Sequence, residues 1–440
     1  MISPARLILI SFLIWLIPAS FVEATYLFEG NVSGPVLLLA GYILFFFLGY
    51  YSIKKAQVKK AAKHSSVKIK QITTILLFFG MIGVLVEIYI GIFVTEIFTA
   101  SDTFNKRLEL FYSENSSGIL GLISSPLYPL AFISFLITIY HYRLFSMLFR
   151  IMTFLFGMYG LFKIFFTGGR TTIVFLLAIV FFVAYKTYVD YNKKGQLVIR
   201  YFSFRLFSFP KQLTQRKVYI TTIIAVSAFI SYSINIINSR VDYYGYGDSV
   251  FTIWEQKDYQ WVDIDDAFKQ RFYAAKDEEK NKILGWYSLK HYFAHGVYEY
   301  IRLANDLSPF GHYYGQYEFN VPFKFFRALG IPFKSFSELN EIVKRQAVYS
   351  TFFGPFFIDF GVFGLGVLFF VGRIIKRVFV KAQSGSTPHI ILYAYISLIL
   401  LSSFLINFLM GASFYYLFGI IVTMLIFKFY PNNLKFTLQK

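Results

Sequence analysis

The chain is 440 residues long, 56% hydrophobic and 21% aromatic, with a mean hydropathy of +0.55. A soluble core of this length could not bury so much apolar side chain, so lipid is the solvent for much of it. No cysteine is present, which excludes disulfides, thiol catalysis and thiolate metal sites; the net charge of +19 would fit a nucleic-acid binder only if it were not segregated as described below.

A membrane-spanning helix needs roughly 20 apolar residues. In chain order such runs are 7–21, 36–53, 72–98, 119–140, 151–166, 171–188, 218–237, 352–372, 390–410 and 414–430. The first has no small-residue cleavage signal and others follow it, so it reads as a retained helix. Lys54, Lys55, Lys59, Lys60, Lys63, Lys68 and Lys70 form one basic cluster; Lys186, Lys193, Lys194, Arg200, Arg205, Lys211, Arg216 and Lys217 a second; Arg373, Lys376, Arg377 and Lys381 a third. Short basic loops beside spans mark the cytoplasmic side, which puts both termini there and leaves no need for nucleic acid.

The acidic residues are independent of that assignment and agree with it. Fifteen of the 24 fall between Arg240 and Glu341, and Asp190 is the only one on the cytoplasmic side. The reading is an all-α polytopic membrane protein of about ten transmembrane helices, with a large, mainly helical extracytoplasmic loop domain between helices seven and eight. Residues 1–237 hold the first seven helices, 238–350 the loop domain, and 351–440 the last three with a cytoplasmic tail. With 14 Lys or Arg against 15 Asp or Glu, the loop domain is nearly neutral, as a folded unit would be. Its stretch 258–282 is polar and reads as a solvated helix. From 286 to 303 an apolar stripe of Trp286, Leu289, Phe293, Val297, Tyr300 and Ile301 suits a helix lying on the membrane or capping the bundle.

The sharpest local feature is Thr167-Gly168-Gly169-Arg170-Thr171-Thr172, a tight turn between two apolar runs that opens a helix with an arginine. Free amides, the positive dipole end, the hydroxyls of Thr171 and Thr172 and a bidentate guanidinium would surround a phosphate there. Lys163 lies on the preceding run; snorkelling to headgroups is its plainer role. Glu87 interrupts the third run among Val84, Leu85, Val86, Ile88 and Ile90. A carboxylate at that depth needs a partner or a wet cavity. It either neutralises Arg170 or Lys163, or acts as a proton acceptor. Asp359, early in the eighth run, is placed to complete the same cavity. His291 and His295 are four apart and share a helix face, but the sequence His291-Tyr292-Phe293-Ala294-His295 lacks the acid of a zinc-protease helix. A histidine hydrogen-bonding a sugar or serving as general base fits better than a metal ligand. Arg240, Arg302, Arg327 and Arg345 are further cations able to flank a diphosphate.

No Walker loop, dinucleotide glycine motif or nucleophile elbow occurs in a fitting context, so no cofactor is expected. An outward-facing cavity joining intramembrane cations, carboxylates and an aromatic outer domain suits an amphipathic anion such as a lipid-linked sugar diphosphate.

Several segments, in order, carry a resemblance. They are the Gly-Gly-Arg turn at Arg170, the stretch through His295-Gly296, the run Tyr314-Gly315-Gln316-Tyr317-Glu318-Phe319 leading to Leu329-Gly330, and Tyr349-Ser350-Thr351-Phe352-Phe353 followed by Ile358-Asp359-Phe360-Gly361-Val362-Phe363-Gly364. In these the chain resembles the bacterial O-antigen and capsular oligosaccharide repeat-unit polymerases, from about Ile151 onward. The resemblance implies a multi-pass glycosyltransferase of the bacterial cytoplasmic (inner) membrane, joining undecaprenyl-diphosphate-linked repeat units in polysaccharide, lipopolysaccharide or capsule biosynthesis. A chain-length regulator and a flippase of the same pathway would be its partners, beside membrane lipid. It implies metal-free chemistry, with Arg170 and Arg240, then Lys163 and Arg345, on the diphosphate and a base among His291, His295, Glu87 and Asp359. An O-antigen ligase-like transferase or a lipid-linked oligosaccharide flippase is the alternative; a flippase normally lacks so large an outer domain.

Overall fold

The computed structural model describes residues 1–58, 64–100, 118–167, 170–192, 231, 262–344 and 350–431, without the side chains of 164–167, 170, 192, 277 and 278. The expected seventh span apart from residue 231, Arg240, Arg345, and the second basic cluster beyond Lys186 lie outside the described residues.

The N-terminal part runs α1 (Pro4–Ala19), β1 (Ala24–Tyr26), α2 (Ser33–Tyr51), α3 (Ser66–Tyr89), α4 (Gly118–Tyr140), α5 (Met147–Gly157), α6 (Tyr159–Thr167) and α7 (Arg170–Asn192). There follow β2 (Val262–Ile264), α8 (Asp266–Ala274), α9 (Asp277–Asp306), α10 (Asn320–Ala328) and α11 (Phe336–Asn340). The chain returns to the bundle with α12 (Phe353–Phe360), α13 (Gly364–Gln383), α14 (Thr387–Ser402) and α15 (Ser413–Phe429). Among the described residues five helical stretches are long and apolar enough to cross a membrane: Ser33–Tyr51, Ser66–Val94, Gly118–Tyr140, Thr171–Tyr191 and Phe353–Gln383. Three shorter apolar helices, α1, α14 and α15, accompany them. The protein is mostly helical and membrane-embedded.

Glycines set the closest crossings. A Cβ on Gly80 would lie 2.2 Å from Ala131 N, and one on Gly83 2.3 Å from Tyr128 N, so α3 and α4 meet backbone to backbone. Gly49 against Phe369 O and Gly372 against Phe46 O do the same for α2 and α13, at 1.8 and 2.1 Å. Lipid cannot drive helices together as water does, so such close van der Waals contact is what joins them.

Four elements differ from expectation. Residues 24–26 and 262–264 pair as antiparallel strands, Ala24 opposite Ile264, a small sheet that the all-α reading omits. The run 151–166 is two helices broken at Met158, between Gly157 and Gly160, where missing Cβ atoms let Phe135 and the Tyr416 hydroxyl press in. The run 352–372 breaks at Gly361, whose φ of 48° suits glycine and whose Cβ would strike Pro309 O at 2.1 Å. The run 390–410 leaves the helix at Ser402, and Phe404 and Phe408 are buried in the irregular stretch that follows.

α9 is one helix of 30 residues, and its second half packs into the bundle against α1, α2 and α12. Trp15 Nε1 donates to Ala294 O at 2.9 Å, and the fully buried Tyr300 donates to Pro35 O at 3.3 Å. At the opposite end the basic connections meet: Lys68 Nζ donates to Tyr430 O, and Lys186 pairs with Asp190, each at 2.6 Å.

Candidate functional site

Three polar clusters lie at the α9 end of the bundle. The first follows from the α3–α4 crossing. One turn beyond Gly83, Glu87 comes beside Ser124, whose hydroxyl donates to Oε1 at 2.7 Å; Lys163 Nζ, from α6, meets Oε2 at 2.6 Å. Of the two possible partners foreseen for Glu87, Lys163 is in contact with it. Lys163 also lies 5.9 Å from the Tyr128 ring centroid, and the buried Tyr159 hydroxyl beside it has no hydrogen-bond partner among the described residues. α7 begins at Arg170, with two residues between it and the end of α6, so a helix does open at that arginine; Thr171 in its first turn is partly exposed. The Arg170 side chain is outside the described residues.

The second cluster grows from the break at Gly361. Ending α12 there frees carbonyls that would otherwise bond within a helix. The loop 309–319 takes them up: His312 N donates to Ile358 O at 2.8 Å and Tyr314 N to Asp359 O at 3.2 Å, while Val362 N donates to Pro309 O at 2.7 Å. Asp359, fully buried, accepts Tyr317 N at 3.0 Å and Glu318 N at 2.7 Å, one on each carboxylate oxygen. It fastens this loop rather than facing Glu87. Glu318 beside it is almost wholly buried; Asn407 Nδ2 donates to its Oε2 at 2.7 Å, and Oε1 has no partner among the described residues. Desolvation, aided by the Asp359 charge and opposed by the Asn407 bond, pushes the Glu318 carboxyl up to about 8.

The third cluster is an aromatic column on α9. His291 stacks on Tyr287, Tyr26 and His295 at 6.0, 5.7 and 5.3 Å, and its Nδ1 is 2.9 Å from the Tyr26 hydroxyl. His295 Nδ1 is 2.9 Å from His291 O. A carbonyl only accepts, so neutral His295 carries its proton on Nδ1 and has its acceptor lone pair on Nε2. Arg302 pairs with Glu299 on the same helix and donates to Leu27 O at 3.3 Å, whereas Arg327 donates to Lys334 O at 2.6 Å.

The irregular stretch 403–412, expected to be mostly helix, and the first turn of α15 adjoin all three. A Cβ on Gly296 would lie 3.2 Å from Leu405 O, Asn407 holds Glu318, and Tyr416 packs edge-on to Tyr128 at 5.7 Å. Phe408 and Tyr416 both meet Phe175 on α7, at 5.4 and 5.0 Å. Non-helical backbone at membrane depth persists only inside protein or along a cavity. Glu318 and Asn407 were not singled out in the sequence. Their signal is an acid between two aromatics and an amide within an apolar run. No group of three His, Asp or Glu able to hold a metal occurs among the described residues.

Comparison with protein-family models, curated proteins and solved structures yields no match.

Proposed function

We propose that the chain is a membrane glycosyltransferase that joins polyprenyl-diphosphate-linked oligosaccharide repeat units on the extracytoplasmic face of a bacterial cytoplasmic membrane. The observation that carries this reading is the irregular stretch 403–412 with the first turn of α15, which together adjoin Tyr128 beside an intramembrane ion pair, a buried carboxylate pair and the helix that carries the histidine column, at one end of the bundle. A lipid-linked sugar diphosphate has matching parts: a hydrocarbon tail, an anionic junction at membrane depth and a glycan above it.

In this reading Arg170 and the N-terminus of α7 hold the departing diphosphate. The Glu87–Lys163 pair positions α6, and so the turn that follows it. Glu87 and Asp359 have both oxygens engaged, which disfavours them as base. His295 Nε2 accepts the proton of the acceptor hydroxyl as its oxygen bonds to the anomeric carbon and the bond from that carbon to the diphosphate breaks. Asp359 and Glu318 act on the loop 309–319 as positioning residues. The glycans of a strain lacking the protein test the reading. A polymerase null leaves single repeat units on the final acceptor; a ligase null leaves none, and a flippase null traps lipid-linked units on the cytoplasmic side.

A further inference from the structure

We propose that the protein carries a second, separate anion site, a cleft for the phosphate headgroup of an anionic phospholipid at the end of the bundle opposite the histidines. The cleft, of about 430 Å³, lies where the chain leaves α2 beside α13 and is lined by Ile53, Gln57, Val58, Arg373, Arg377 and Lys381. The three cations recur every four residues and so stack along one face of α13. None of them has an acidic partner among the described residues. Arg373 also lies 5.8 Å from the Phe369 ring centroid.

The backbone contacts at Gly49 and Gly372 build the cleft, because two helices pressed together there leave a gap beyond their crossing. Its contents favour a lipid over a soluble phosphate. Phe370 and Ile374 are 62% and 55% exposed and continue the Arg377–Lys381 face toward the apolar part of the helix. A stripe that is apolar along its length and cationic at its end matches acyl chains below a phosphodiester. Guanidinium groups at two adjacent turns bind phosphate oxygens in pairs, with Gln57 as an uncharged donor.

Delipidated protein is mixed with diphosphatidylglycerol, phosphatidylglycerol, phosphatidylcholine or inorganic diphosphate, and retained ligand is measured by native mass spectrometry. Wild type should keep the two anionic lipids over phosphatidylcholine. Changing Arg373, Arg377 and Lys381 together to Gln should weaken that binding about a hundredfold, since each charge near an anionic headgroup contributes roughly fivefold. Arg377→Gln alone, at an exposed position, should weaken it about fivefold and guards against a misfolded triple variant. A control triple of the same charge, Lys70→Gln, Arg143→Gln and Lys428→Gln, should change it less than twofold. Equal loss in both triples would mean that net charge, not the cleft, binds the lipid. Inorganic diphosphate bound as tightly as lipid would overturn the assignment to a phospholipid.

Discussion

Lys163 Nζ lies 2.6 Å from Glu87 Oε2, an ion pair that ties α6 to α3 across 76 residues of sequence. Glu87 is the more buried partner, with its side chain 8% exposed against 38% for Lys163. Removing only the cation strands a carboxylate, whereas removing both charges does not. Lys163→Met should therefore lower stability by about 2–3 kcal/mol, and Lys163→Met with Glu87→Gln should recover most of it. Thermal unfolding of the purified variants in detergent measures both, and an unaffected single variant would show that the pair holds nothing together.

Glu318 makes stability depend on pH with a definite sign. Its folded carboxyl titrates at about 8, against 4.5 when unperturbed, so between those values the folded protein binds more protons than the unfolded chain. Its contribution to stability is present below the lower value and is lost as pH rises toward the upper one. Glu318→Gln mimics the protonated form. It should raise the unfolding temperature by about 5 °C at pH 8, change it little at pH 4.5, and flatten the slope between. A slope unchanged in the variant would assign the titration to another group.

Arg170→Ala should abolish polymer while leaving protein abundance near wild type. Losing a charge-assisted donor to a leaving diphosphate costs on the order of 3 kcal/mol in the transition state, about a hundredfold in rate. Arg170→Lys should recover part of that, since an ammonium offers a charge without the planar two-pronged contact. Polymer of full length from Arg170→Ala at normal abundance would remove the residue from the site.

The spans were legible where hydropathy alone decides, as in α2, α4 and α7, whose ends lie within a few residues of the apolar runs, whereas α3 begins six residues before its run and ends nine residues short of it. What escaped is where helices stop. Gly361, Met158 and Ser402 end them inside apolar sequence, because of partners remote in the chain: Pro309 O accepts Val362 N and Ser403 O accepts Phe352 N, while at Met158 the flanking glycines admit Phe135 and the Tyr416 hydroxyl. The same limit applies to the site. Glu87 announces itself as a charge in an apolar run, and so does its need for a cation. Glu318 does not, because its burial depends on Asn407, 89 residues away, and on a loop fastened by Asp359. The pairing of residues 24–26 with 262–264 was likewise unreadable, since each strand has only three residues and its partner lies beyond six described helices.

Whether the protein polymerises is decided with purified protein in bilayers, with polyprenyl-diphosphate-linked repeat units as sole substrate and the products resolved by mass. Carrier-linked glycans of two, three and more units should form, with free polyprenyl diphosphate released for each bond made, and both products should be lost in Arg170→Ala. Substrate that remains as single units, or that moves only onto a different lipid acceptor when one is supplied, would contradict the proposed polymerisation.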